Sequence, residues 1–349
     1  MLEKLRERLT QLELDGLWVA KPENIRYLTG FTTPKDAKLL VTHNEIWLYT
    51  DPRYTTQAKL EARVPVHIAR FEAVYEHAKQ FTQDKKIGFE ADAVMYSSYE
   101  ALSEYLGATL QGITDVIEPM RLCKNPEEIK TIHSAAKIAD AALEALLPKL
   151  AVGITERDFA LLLEFEMRRS GADAAAFEII VASGERSAMP HGTAGTRVIQ
   201  EGDLVTIDWG AALNGYHSDC TRAYPIGEIS SQLKQMYNAV LEANLLAISH
   251  VKAGVGCKEL DTIAREYLKT QGYDEAFAHS LGHGVGLAIH EAPTLSQRAE
   301  DNAVLEVGTI VTIEPGVYLE GIGGVRIEDL LLVTENGCEI LTGLPKPGL

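Results

Sequence analysis

Two apolar runs, Leu204-Val-Thr-Ile-Asp208 and Ile310-Val-Thr-Ile-Glu314, each close on a carboxylate where a strand's alternation would accept another apolar or neutral residue. An ionised carboxylate isolated in a core is strongly disfavoured, so such an acid must be paired, protonated or bound to metal. A second acid follows each run: Asp219 comes four residues after Gly215, and Glu328 four residues after Gly324. Four carboxylates converging on one place would repel one another, and divalent cations remove that repulsion. His283, in the glycine-bearing segment HSLGHGVGLAIHEAP (279–293), adds an imidazole. Oxygen-rich ligation with one imidazole suits Mn2+, Co2+, Fe2+ or Zn2+ better than a metal selected by thiolates. Five ligands, Asp208, Asp219, His283, Glu314 and Glu328, exceed what a single catalytic ion usually takes. Two ions about 3.5 Å apart, bridged by carboxylates and a hydroxide, are the expected arrangement, and its chemistry is the activation of water.

Each acid also has a plainer reading. Asp208 alone could end a strand as a turn or cap residue. Asp219, in YHSDCTRAY, could pair with Arg222, and Glu328, in VRIED, with Arg326. None of these readings accounts for acids recurring at equivalent places in two copies of one pattern.

That pattern is an internal duplication. Residues 150–173, LAVGITERDFALLLEFEMRRSGAD, align without gaps to 251–274, VKAGVGCKELDTIAREYLKTQGYD, with Gly153 over Gly254, Gly171 over Gly272 and an amphipathic helix between. IQEGDLVTIDWG (199–210) aligns to LEVGTIVTIEPG (305–316), placing Gly202 over Gly308 and Asp208 over Glu314. Helices followed by strand pairs, repeated, predict an α+β domain with a pseudo-two-fold axis and a curved antiparallel sheet under helices. Its symmetry centre is the natural place for a shared site.

Upstream, GLWVA, KLLVT and EIWLYT read as strands of a small α/β unit. Asn125 as N-cap, Pro126 at the first helical position and Glu128 in a capping box start a new helix, so the domain boundary is placed at 121: residues 1–121, then 122–349. A length of 349 residues accords with two domains. The formal charge of −17 opposes binding to phosphate backbones, so nucleic acid is not an expected partner. The amino terminus, MLEKLRERLTQLELDG, interleaves charge with leucine, and no membrane span is read; a cytoplasmic location is expected. Cys123, Cys220, Cys257 and Cys338 show no C-x-x-C pairing and are expected to be small buried hydrophobes.

Taken together, these residues resemble the prolidase and aminopeptidase P group, whose catalytic domain has the pita-bread fold shared with methionine aminopeptidase and creatinase. The resemblance spans nearly the whole chain. GLWVAKPENIRYLTGF looks like the group's creatinase-like amino-terminal domain, SGERSAMPHG like its first histidine motif, and TIDWG, SDCTRAY, GHGVGLAIHE, TIEPGVY and GVRIED like its remaining motifs in order. The resemblance implies that Asp208 and Asp219 bind one ion, and that Asp219, Glu314 and Glu328 serve the other with His283. It implies that His191 and His290 flank the site as hydrogen-bonding catalytic groups, that Tyr318 and Arg326 support it, and that His279 lines the substrate pocket. Mn2+ is the ion expected first, with Co2+, Zn2+ or Fe2+ open. Relatives are commonly homodimers, so a homodimer is expected.

The expected reaction is hydrolysis after an amino-terminal residue followed by proline, with Glu314 shuttling a proton and His191 and His290 stabilising the tetrahedral intermediate. A dipeptidase must neutralise the substrate carboxylate beside the site. Archaeal prolidases resemble one another in placing an arginine directly after the HExP segment for this purpose. Here His290-Glu-Ala-Pro-Thr294 has threonine, so the expectation is an Xaa-Pro aminopeptidase, with an Xaa-Pro dipeptidase as the alternative. Arg298, nearby in sequence, reads as a solvated loop charge. A metal-free interaction protein of the same fold is the remote alternative. Methionine aminopeptidase is disfavoured by the extra domain of about a hundred residues.

Overall fold

The computed structural model describes Met1–Leu349, which divide into two compact units, Met1–Arg121 and Leu122–Leu349. The first unit is built on a six-stranded sheet in the order Val66–Ile68, Ile46–Thr50, Ala37–Thr42, Gly16–Val19, Lys86–Glu90, Thr109–Ile113. The three sequence-predicted strands lie side by side and antiparallel at its centre. Strands joined through helices pair in parallel on either side, as crossover connections require. Leu17, Val19, Leu39, Val41 and Leu48 fill one core and Trp18, Leu40 and Tyr49 another, so both faces of the sheet are covered.

The second unit begins as the capping signals predict. Helix Pro126–Leu146 starts with the Asn125 side chain accepting from Glu127 and Glu128 backbone N–H groups, while Glu128 accepts from the Asn125 N–H. Helices Pro126–Leu146 and Glu156–Arg169 cover the first repeat, and Ser231–His250 and Cys257–Thr270 the second. The duplication is visible in backbone angles: φ is +101° at Gly153 and +84° at Gly254, +108° at Gly171 and +84° at Gly272, +85° at Gly202 and +87° at Gly308. A side chain at those angles is strained, which explains glycine at both members of each pair.

Strand Leu204–Trp209 runs between Cys220–Pro225 and Ile180–Ser183, all antiparallel. Its counterpart Ile310–Ile313 lies between Gly282–Gly284 and Asp329–Val333. The two sheets meet where Thr221 bridges Glu328, at the centre of the pseudo-symmetry. A hairpin follows each strand, Ala211–Leu213 with Tyr216–His217 and Gly316–Leu319 with Gly323–Arg326.

The glycines before the second acids differ in use, and the cysteine expectation needs correction. Gly215 and Gly324 share a spacing but not a role: Gly215 turns its hairpin at φ +75°, and the second hairpin turns at Gly321, φ +74°. The second hairpin's returning arm is longer, and Gly324 lies within it, where a Cβ would stand 2.1 Å from the Ser187 carbonyl oxygen. Of the cysteines, Cys220 and Cys257 are buried, Cys338 is half-buried and Cys123 is exposed. Cys123 precedes the first long helix at the surface, its thiol beside the Glu306 carboxylate. No helix is long and apolar enough to cross a membrane.

Candidate metal centre

All five ligand candidates line one pocket of about 490 Å³ in Leu122–Leu349. Asp208 stands on strand Leu204–Trp209, with Asp219 immediately before Cys220–Pro225. Glu314 follows Ile310–Ile313 directly, Glu328 precedes Asp329–Val333, and His283 sits in Gly282–Gly284. Each acid therefore sits on or immediately beside a paired strand.

Ligand atoms of Asp219, His283 and Glu328 lie within 4.8 Å of one another. His283 Nε2 is 3.6 Å from Asp219 Oδ2 and 3.3 Å from Glu314 Oε1. His283 Nδ1 is 3.0 Å from the Gly284 carbonyl oxygen, which assigns the proton to Nδ1 and leaves Nε2 facing the acids. Asp208 Oδ2 accepts from Arg326 Nη2 at 2.6 Å, whereas its Oδ1 is buried without a partner. Glu328 accepts from the Thr221 hydroxyl at 2.7 Å and Glu314 from the Thr312 hydroxyl at 3.1 Å. The plainer pairings are not made, since Arg222 pairs with Asp329 and Arg326 with Asp208.

Electrostatics show what the cluster lacks. Burial, then the charges of Glu328, Asp208 and Glu314, push Asp219 well above the usual carboxylate range. Burial and the charges of Glu314 and Asp208 do the same to Glu328. Burial also raises Asp208, against the pull of Arg326. Glu314 is the exception: burial would raise it, but the hydrogen bond and charge of His283 outweigh burial and lower it to about 2. Burial alone would lower His283, and Glu314 more than reverses this. Burial and mutual repulsion thus disfavour ionising these carboxylates together, and a bound cation would offset both. The orphaned Asp208 Oδ1, the inward-facing imidazole nitrogen and the oxygen-rich donor set all fit a hard or borderline divalent metal.

The flanking residues separate into two groups. His191, His279, His290 and Arg326 line the pocket, with the His290 ring 4.3 Å from that of His283. Tyr318 does not line it. Its hydroxyl accepts from Arg326 Nη1 at 2.9 Å and lies 2.9 Å from His279 Nε2. His279 Nδ1 sits 2.9 Å from the Ser280 carbonyl, so Nδ1 carries the proton and the tyrosine hydroxyl donates to Nε2. Burial lowers His279 and His290, keeping both neutral near pH 7. Arg326 also donates to the Pro190 carbonyl and Thr221 hydroxyl, tying four segments together. Thr294 lines the pocket, while Arg298 is exposed and does not.

Sequence reasoning missed Thr221, Thr312 and Lys124. Thr312 carried a signal: threonine stands two residues before the acid in both LVTID and IVTIE. Lys124 forms a buried ion pair with Glu291, 2.8 Å apart, which anchors the residue after His290; nothing local announced it. A larger cavity of about 800 Å³ opens within Met1–Arg121.

Residues 130–335 match the model of metallopeptidase family M24, and residues 1–123 that of the creatinase/prolidase N-terminal domain. The chain belongs to metallopeptidase family M24. This M24 peptidase is 41% identical over 343 residues to the Xaa-Pro dipeptidase of Pyrococcus furiosus, covering 98% of this chain and 97% of the relative. Its fold matches the structure of an Xaa-Pro dipeptidase from Bacillus anthracis with a TM-score of 0.94 at 42% identity, covering 99% and 98% of the two chains. An X-Pro aminopeptidase structure from Thermotoga maritima matches with a TM-score of 0.90 at 38% identity over 99% and 98%. The M24 peptidase thus has a creatinase-type amino-terminal domain and a pita-bread catalytic domain, and its family implies a divalent metal.

Proposed function

We propose that this chain is an Xaa-Pro dipeptidase that holds two divalent cations, Mn2+ first among them, on Asp208, Asp219, His283, Glu314 and Glu328. The observation that carries the reading is likeness along the whole of both chains to proteins named as Xaa-Pro dipeptidases. It replaces the aminopeptidase expectation, which rested on threonine at position 294. Two bound cations would supply an acidified water and polarise the scissile carbonyl.

The chain's own residues do the rest. Glu314 accepts the proton of the attacking water and returns it to the prolyl nitrogen as the C–N bond breaks. His290 donates to the developing oxyanion. His191, which lines the pocket, donates a hydrogen bond that helps hold the peptide.

The second reading, an Xaa-Pro aminopeptidase, is favoured by one observation: threonine, not arginine, lines the pocket at position 294. Comparing kcat/KM on Ala-Pro and Ala-Pro-Ala with Mn2+ present decides between them. The dipeptide is expected to be preferred, and a strong preference for the tripeptide replaces the first reading with the second. Elemental analysis showing no metal uptake, with no prolyl peptide cleaved, would establish a non-catalytic relative instead. The proposal includes a homodimer in the cytoplasm, the former measurable by sedimentation.

A further inference from the structure

The gapless register between the repeats extends upstream through their long helices. Ile132, Ala135, Ala136, Ala139, Ala142, Leu143 and Leu146 are buried in the first, and Leu233, Met236, Tyr237, Val240, Ala243, Asn244 and Ala247 occupy the same positions, also buried, in the second. One pair breaks the chemistry. Leu143 packs in an apolar core, and its counterpart Asn244 is a fully buried amide.

Asn244 Nδ2 donates to the Ile313 carbonyl at 2.9 Å and to the Ile327 carbonyl at 3.3 Å. Both acceptors are carbonyls, so the amide nitrogen must face them. Its Oδ1 is left buried without a partner. Leucine would avoid that unmet acceptor but withdraw the donor that the two carbonyls share, so apolar packing alone does not explain the asparagine. Its partners do: Ile313 and Ile327 immediately precede Glu314 and Glu328, and each carbonyl belongs to the peptide plane that carries the ligand residue's N–H.

We propose that Asn244 is a positioning residue of the metal centre, clamping peptide planes 313–314 and 327–328 so that Glu314 and Glu328 meet the metal at a set separation. The first repeat links helix to strand differently, through Trp209 Nε1 donating to the Ala139 carbonyl at 2.9 Å. Trp209 follows Asp208, and the corresponding residue after Glu314 is Pro315, which has no side-chain donor. Second-repeat acids therefore take their clamp from the helix.

This inference rests on the metallopeptidase reading, and its test separates the two. Mn2+ uptake by the metal-free full chain is measured calorimetrically, without substrate, for wild type, Asn244→Leu and Asn244→Asp. Leucine copies the first repeat, and aspartate keeps the shape but cannot donate to both carbonyls. Both variants are expected to fold, with metal-free melts lowered modestly by the lost carbonyl hydrogen bonds. Mn2+ binding is expected to weaken about 10- to 100-fold, and kcat to fall while KM for the dipeptide holds, because Asn244 does not line the pocket. Folded variants with wild-type Mn2+ binding and kcat overturn the proposal. Variants that fail to fold without metal overturn it too, because Asn244 would then serve the fold. A wild-type chain that takes up no Mn2+ removes the metallopeptidase reading beneath it.

Discussion

Glu314 illustrates how one side chain acquires a role from its neighbours. Its carboxylate lies beside the His283 imidazole, accepts from Thr312 and lines the same pocket as Asp208. Glu314→Gln keeps the size and an oxygen ligand but cannot carry a proton. Its kcat is expected to fall by about 10²- to 10⁴-fold, with circular dichroism and thermal midpoint close to wild type. A folded, metal-loaded variant that still turns over would remove Glu314 from the proton path. His283 is the one ligand candidate without a counterpart from the duplication. Its Nδ1 contact with the Gly284 carbonyl now supplies the reason that Nε2 faces the acids.

At the level of elements, glycines fall into two physical classes that sequence does not distinguish. Gly254 has φ +84° with open space where a methyl would stand, so Gly254→Ala meets only backbone strain and is expected to cost about 1–2 kcal/mol. Gly282 lies in the His283 strand, where a Cβ would sit 2.0 Å from the Thr312 carbonyl oxygen. Gly282→Ala must displace backbone from beside Thr312 and His283, so it is expected to cost more and to impair metal binding. Urea unfolding and Mn2+ titration of both variants check this. Equal costs with intact metal binding would contradict the close approach at Gly282. The strands and capping box were legible because each is a local pattern, an apolar run of β-formers in GLWVA or Asn125 with Glu128, whose physics acts within a few residues. The Lys124 pairing with Glu291 spans more of the chain than any such pattern.

For the whole molecule, metal and stability are linked through the buried acids. Carboxylates raised in the fold, Asp208, Asp219 and Glu328, bind more protons folded than unfolded above their ordinary values of 3.8 and 4.5. They contribute stability at low pH that is lost as pH rises through their folded values. His283, raised from 6.5, acts in the same direction. Glu314, lowered, acts oppositely but only below pH 4.5, and the lowered His279 and His290 oppose only below 6.5. Metal-free protein is therefore expected to lose thermal stability between pH 6.5 and 8, whereas Mn2+-loaded protein holds or gains it because ligation favours ionised acids. Each unit has its own core, so hydrogen exchange after chelation should rise in Leu122–Leu349 while Met1–Arg121 stays protected. A metal-free melt that rises over this pH range would refute the linkage.

Sequence by itself determined the duplication, the paired acids and the two-unit division, because strand alternation, glycine at positive φ and helix capping are local constraints that leave repeated marks. It also carried the resemblance on which the histidine roles rest. Tertiary structure decided how the five ligand candidates meet, at the Thr221–Glu328 bridge where two sheets join. It alone separated Tyr318, behind the pocket, from His279 within it, and paired Arg326 with Asp208 rather than Glu328. It also showed Asn244, unlike Leu143, donating to the carbonyls that precede Glu314 and Glu328. These are contacts between segments far apart in the chain, set by packing geometry, and no spacing along one segment encodes them.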